Sequence, residues 1–158
     1  MTARPLIFLD VDGTLIPLRA RTIPATPTPP THANPLLARI DPADGPRLRS
    51  LDGELTWAST WMEEANAIIS PRLGLPHLPV VDWPDEDPVP GLHWKTAFLT
   101  EYAQGRPFVW LDDEVTDTDQ RWVAAHHSGR ALLRRVYPFT GLTDADFAAV
   151  RAWLVVNT

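Results

Sequence analysis

The chain has no cysteine in 158 residues. Disulfide frameworks, thiolate nucleophiles and Cys-ligated zinc or iron–sulfur sites are therefore excluded. Lysine is nearly absent as well. Of 14 basic residues only Lys95 is a lysine, and the rest are arginine. Basic charge is in deficit overall, with a formal net charge of −6. That leaves no broad basic face for nucleic acid and no polybasic membrane patch. No apolar run approaches the ~18 residues of a membrane-spanning helix. The opening residues, Met1 to Pro5, lead straight into a strand-like segment and do not form the graded regions of a signal peptide. The expectation is a soluble, cytoplasmic protein.

Proline, in contrast, is abundant, with 17 residues. Such density often marks linkers, but 44% hydrophobic content and seven tryptophans argue for a packed globule. The length suits one domain spanning 1–158. The prolines gather between Pro17 and Pro46 and between Pro71 and Pro90. Periodic segments lie around those two windows.

Leu6-Ile7-Phe8-Leu9-Asp10 is a short apolar run ending in a polar turn, as in a strand buried on both faces. Further strands are expected at Glu54–Ser59, Leu78–Val81, Phe108–Leu111 and Leu132–Val136. Helices are expected at Trp61–Ile69 (stopped by Pro71), His93–Gln104, Asp117–His127 and Thr143–Val156. Strands alternating with helices imply a parallel α/β sheet. Ligands of such sheets bind beyond the carboxyl ends of the strands.

Those ends carry the chemistry. Asp10, Asp12, Gly13 and Thr14 follow the first strand, and Ser59 and Thr60 follow the second. Lys95 lies near a helix start, and Asp112 and Asp113 follow the fourth strand. Clustered carboxylates repel one another, and a hard divalent cation resolves the conflict. All-oxygen ligands favour Mg²⁺, which in turn attracts phosphate. A hydroxyl and an ammonium can hold the other phosphate oxygens. One carboxylate can attack phosphorus while a second serves as general acid and base.

These residues resemble the four motifs of the haloacid dehalogenase-like (HAD) phosphohydrolases. Leu9-Asp10-Val11-Asp12-Gly13-Thr14-Leu15 matches the first motif, Ser59 (with neighbouring Thr60) the second, Lys95 the third, and Val109-Trp110-Leu111-Asp112-Asp113 the fourth. They occur in the family's order across nearly the whole chain. The resemblance implies a three-layer Rossmann-like fold with parallel strand order 5-4-1-2-3. It implies that Asp10 is the nucleophile and that Asp12 is the acid and base. Ser59 and Lys95 would hold the phosphoryl group, with Gly13, Thr14 and Thr60 around it. Mg²⁺ would bind Asp10, the Asp12 carbonyl and the Asp112/Asp113 pair, with either member of that pair as the direct ligand. A phosphorelay receiver domain uses similar residues, but there the lysine follows the last strand.

The expected activity is phosphomonoester hydrolysis through an aspartyl-phosphate, on a small molecule or a macromolecular end. No membrane and no extended nucleic-acid footprint are expected, and the oligomeric state stays open. Transfer to an acceptor other than water would use the same residues. A non-catalytic relative binding a partner through the proline-rich arm is disfavoured by the intact pair Asp10 and Asp12. The window 15–51 is too short and broken for a full cap domain, but leaves room for a flap such as a hairpin and an extended arm. Trp57, Trp61, Trp83 and Trp94 read either as core residues or as an aromatic wall at the mouth of the site. The five histidines show no recognised ligand spacing, and Asp117 and Asp119 read as helix N-terminal acids.

Overall fold

A computed structural model describes residues 4–19 and 35–157. Four parallel strands, β1 (Leu6–Leu9), β2 (Glu54–Trp57), β3 (Phe108–Asp112) and β4 (Ala131–Arg135), form one sheet in the order β2-β1-β3-β4. The central strands β1 and β3 are buried throughout. Alternate residues of these strands feed two separate cores, as their unbroken apolar runs require. Ile7, Leu9, Val109 and Leu111 face one core, and Leu6, Phe8, Phe108 and Trp110 face the other.

Helices cover both faces. On the first face lie α1 (Asp44–Arg49), α2 (Ser70–Leu73) and α5 (Asp144–Asn157), which contribute Leu48, Leu73, Phe147, Val150 and Leu154. On the second lie α3 (Thr96–Ala103) and α4 (Asp117–His126), which contribute Leu99, Ala103 and Val123. The result is a three-layer α/β arrangement of Rossmann-like type. α1 approaches α2 closely because it carries Gly45, where a Cβ would lie 1.7 Å from the Leu73 carbonyl oxygen. No helix among the described residues is long and apolar enough to cross a membrane.

Two expectations need correction. Leu78–Val81 is not a full strand: only Val80 bridges to Trp57. The Pro79 carbonyl accepts from Trp57 N–H, and Val81 N–H donates to the Trp57 carbonyl. Pro79 has no N–H to extend the ladder, and the Asn66 side chain takes both backbone groups of Leu78. The helix after β2 also does not stop at Pro71. A turn leads into a π-helical segment, Ala65–Ile69, and then into α2, where Pro71 occupies the first turn. The wider π turn accommodates a residue with no N–H to donate. α2 ends at Gly74, in the left-handed conformation. In the window 15–51 the described residues form no hairpin. They form a 3₁₀ turn (Pro35–Arg39) and α1. The proline-dense stretch Pro24–Pro30 lies outside the described residues.

Candidate active site

The sheet register sets the site. Leu9 pairs with both Trp57 and Leu111, so Asp10 and Asp112 lie one residue further along the two central strands. Ser59 lies two residues beyond Trp57. The Lys95 ammonium stands between the two strands, 2.9 Å from Asp10 Oδ1 and 2.9 Å from Asp112 Oδ2. All three side chains are buried. Asp113, half-buried, completes a group in which Asp10, Asp112 and Asp113 each present an oxygen within 4.8 Å of the others. Glu114 N–H donates to Asp112 Oδ1 at 3.0 Å, fixing the turn that carries this pair.

Three carboxyl groups beside one ammonium would, if all were ionised, leave two surplus negative charges in a partly dry space. Burial pushes the Asp10 carboxyl up to about 8. Lys95 opposes that rise, while Asp112 and Asp113 add to it. Burial and the charge of Asp112 likewise push Asp113 up to about 6. Burial works against the Lys95 ammonium, but Asp10 and Asp112 outweigh it and hold its pKa above the ordinary lysine value. The donor set therefore lacks positive charge. A hard, oxygen-preferring divalent ion such as Mg²⁺ fits Asp10, Asp112 and Asp113 on both charge and ligand type.

The turn after β1 wraps beneath this group. The N–H groups of Thr14, Leu15 and Ile16 all point to the Val11 carbonyl. Gly13 has φ +80, and a Cβ there would lie 2.3 Å from Asp113 Oδ2. Glycine is therefore needed both for the turn and for the close approach of Asp113. Thr14 is fully buried, and its hydroxyl is 3.4 Å from Asp10 Oδ2.

Asp12 stands apart from the buried group. It is exposed, and its Oδ2 accepts from the Trp61 indole N–H at 3.1 Å. Ser59 is buried, its Oγ accepts from Trp61 N–H at 3.1 Å, and its carbonyl accepts from the Trp83 indole at 3.1 Å. Thr60 is exposed. The structure thus brings Asp10, Lys95, Asp112 and Asp113 together, with Thr14 and Gly13 against them. Asp12, Ser59 and Thr60 follow the same strand ends outside the carboxylate group.

Trp61 packs partly against the first core and Trp83 against the second. Trp57 is core, with its indole N–H on Asn66 and Ser70. Trp61, Trp83 and Trp94 are half-buried.

Two residues important to this geometry had no functional assignment from sequence. His93 packs its ring edge-on to Trp110 and accepts Lys95 N–H on Nδ1 at 3.1 Å. Its Nε2 lies 3.9 Å from Asp112 Oδ1 and 3.8 Å from Glu114 Oε2. Burial holds its pKa below the ordinary histidine value. Asp119 is the N3 residue of a capping box with Thr116 at the start of α4. It also accepts from His93 N–H at 2.8 Å and from the Thr96 hydroxyl at 2.7 Å. One buried carboxylate thereby ties the segment carrying Lys95 to the next helix. These hydrogen bonds outweigh its desolvation and hold its pKa below the usual aspartate value. Its stabilising effect is present above the unfolded aspartate pKa and is lost as pH falls through the lower folded value. Asp119→Ala is expected to lower stability by about 2–4 kcal/mol, because four donors lose their acceptor. Urea unfolding at neutral pH measures this, and the deficit narrows in acid.

No protein-family model, curated protein or solved structure matches this chain.

Proposed function

We propose that this chain is an Mg²⁺-dependent phosphomonoester hydrolase of the HAD type, working through an aspartyl-phosphate on Asp10. The observation that carries the reading is the Lys95 ammonium bridging Asp10 and Asp112 beside Asp113, at the carboxyl ends of the central strands. A surface ion pair needs neither burial nor a third carboxylate. A phosphoryl-transfer site needs a shielded nucleophile, a fixed cation and surplus acid groups for a metal. On this reading the Val80 segment is the edge strand beside β2. Counted in chain order with that segment as the third strand, the order would read 5-4-1-2-3, and among the described residues no full cap closes over the site.

Each residue then has one task. An Asp10 oxygen attacks phosphorus in line, and the bond from phosphorus to the leaving oxygen breaks. Asp12 gives its proton to that oxygen. Asp12 is exposed at the mouth of the site, whereas Asp10 stays shielded. Asp12 next takes a proton from a water that attacks the phosphorus of the aspartyl-phosphate. Phosphate leaves and Asp10 is restored. Lys95 and Ser59 hold the non-bridging oxygens, with Gly13, Thr14 and Thr60 around them. Mg²⁺ held by Asp10, Asp112 and Asp113 would supply charge neutralisation to the transferring group.

The test is hydrolysis of aryl and alkyl phosphates by the purified chain. Turnover should require Mg²⁺ and stop with EDTA. Asp12→Ala should slow alkyl phosphates about 10²- to 10³-fold. It should slow p-nitrophenyl phosphate far less, because that leaving group needs no proton. No turnover across a broad ester panel, or equal loss on both ester types, would count against the reading.

A further inference from the structure

Three half-buried indoles surround the proposed site, each fastened to a different site residue. Trp61 donates its indole N–H to Asp12 Oδ2 at 3.1 Å. Trp83 donates its own to the Ser59 carbonyl at 3.1 Å. The Trp94 ring lies 5.6 Å from Lys95 Nζ and packs edge-to-face with Trp83, with centroids 4.7 Å apart. They come from three separate stretches of chain, after β2, after the Val80 bridge and just before α3. Trp61 and Trp83 each pack partly against a core, on opposite faces of the sheet, but packing alone does not call for an indole N–H aimed at Asp12 or at the Ser59 carbonyl. Two of the three polar N–H groups are already used inside the protein. What Trp61 and Trp83 can offer a ligand is therefore the face of a ring rather than a donor.

We infer that these indoles select phosphomonoesters whose leaving group carries a flat aromatic ring, with Trp61 as the main specificity residue. The inference rests on the proposed function and on one chemical constraint. Asp12 must reach the leaving oxygen, so the departing group lies beside Asp12. Trp61 holds Asp12 and therefore lies beside that group too. Trp83 and Trp94 form a separate aromatic pair on the side of Ser59 and Lys95. Stacking one ring on such a surface is worth about 1–3 kcal/mol, which is roughly 5- to 150-fold in kcat/KM.

The test compares benzyl phosphate with cyclohexylmethyl phosphate. Both release primary alcohols of similar size, and only one ring is flat and aromatic. Wild-type protein with Mg²⁺ should prefer benzyl phosphate by about tenfold or more in kcat/KM. Trp61→Leu should bring that ratio close to one. Trp61→Phe keeps a ring but loses the bond to Asp12. It should slow both esters while retaining most of the preference, a split that a purely structural role would not produce. The nucleotide adenosine 5′-monophosphate should be preferred over ribose 5-phosphate in the same way.

A binding measurement separates this inference from the proposed function. Tryptophan fluorescence of Asp10→Asn, titrated with each ester, reports affinity without turnover. Tighter binding of benzyl phosphate, lost in Asp10→Asn/Trp61→Leu, supports aromatic selection even if no hydrolysis is found. Equal handling of both esters by the wild type, or a preference unchanged in Trp61→Leu, overturns it while leaving the hydrolase reading intact.

Discussion

Asp10→Asn should remove Mg²⁺-dependent phosphatase turnover by a factor on the order of 10⁴ or more, while the chain stays folded. A nucleophile that forms the covalent intermediate has no substitute in the site, so its loss removes the pathway and not merely one contact. The amide is nearly isosteric and can keep a hydrogen bond to Lys95. The same variant should be more stable than wild type when metal is removed. The Asp10 carboxyl is raised to about 8 in the folded chain, against 3.8 for the ordinary group. A raised folded value means that the ionised form is penalised in the fold. Stability is then fully present below the unfolded pKa and is lost as pH rises through 8. Asp113, raised to about 6, acts in the same direction. In EDTA, melting of the wild type should fall between pH 5 and pH 9. Asp10→Asn should flatten that fall and gain on the order of 5 °C at pH 9. Equal melting of the two proteins at pH 9, or residual turnover near wild type, would contradict the assignment of Asp10.

The second large effect belongs to Lys95. Lys95→Met should lower turnover about 10²- to 10³-fold, as expected when one donor to a transferring group is lost. It should also destabilise the metal-free chain by about 3–5 kcal/mol, because three neighbouring carboxylates then share a buried space without an ammonium. Low pH should restore part of that stability by neutralising them, and so should Mg²⁺. Lys95→Arg should not restore turnover. One Nζ reaches carboxylates on two different strands at 2.9 Å each. A planar guanidinium is larger and suits the two oxygens of a single carboxylate. Arginine serves at every other basic position of this chain, so the lysine at 95 marks a place where charge alone is insufficient. Activity assays and denaturant titrations with and without Mg²⁺ check both halves.

Much of this geometry was legible in the sequence because it depends on local pattern. The runs at Leu6–Leu9 and Phe108–Leu111 are apolar at every position, which only a strand buried on both faces requires. Parallel strands so buried must end at a common edge, so the residues after them were bound to meet. Thr143 with Asp146 has the spacing of a helix start, and Asp146 indeed accepts from both the N–H and hydroxyl of Thr143. What stayed hidden depends on distant partners. Leu78–Val81 has strand composition, but the Asn66 amide occupies Leu78 and Pro79 cannot donate. Asp119 looks like any first-turn acid until α3 is placed beside it. Trp61 packs partly against the first core and also holds Asp12, 49 residues away, on its indole, a pairing that local sequence does not show. No periodicity announces a π turn, and Pro71 reads as a helix stop only if the preceding turn is an ordinary α turn.

The placement of Lys95 has a consequence for how the molecule assembles. It meets Asp10 across 85 residues of sequence, and Asp112 follows it by another 17. β1 waits for β3, whose first paired residue, Phe108, meets Leu6. Closing such long loops is entropically unfavourable and precedes any gain from the contacts. During synthesis the Asp10 carboxylate therefore emerges long before its ammonium. The full cluster needs Asp10, Lys95 and Asp112 together, so it cannot be complete before β3 stands beside β1.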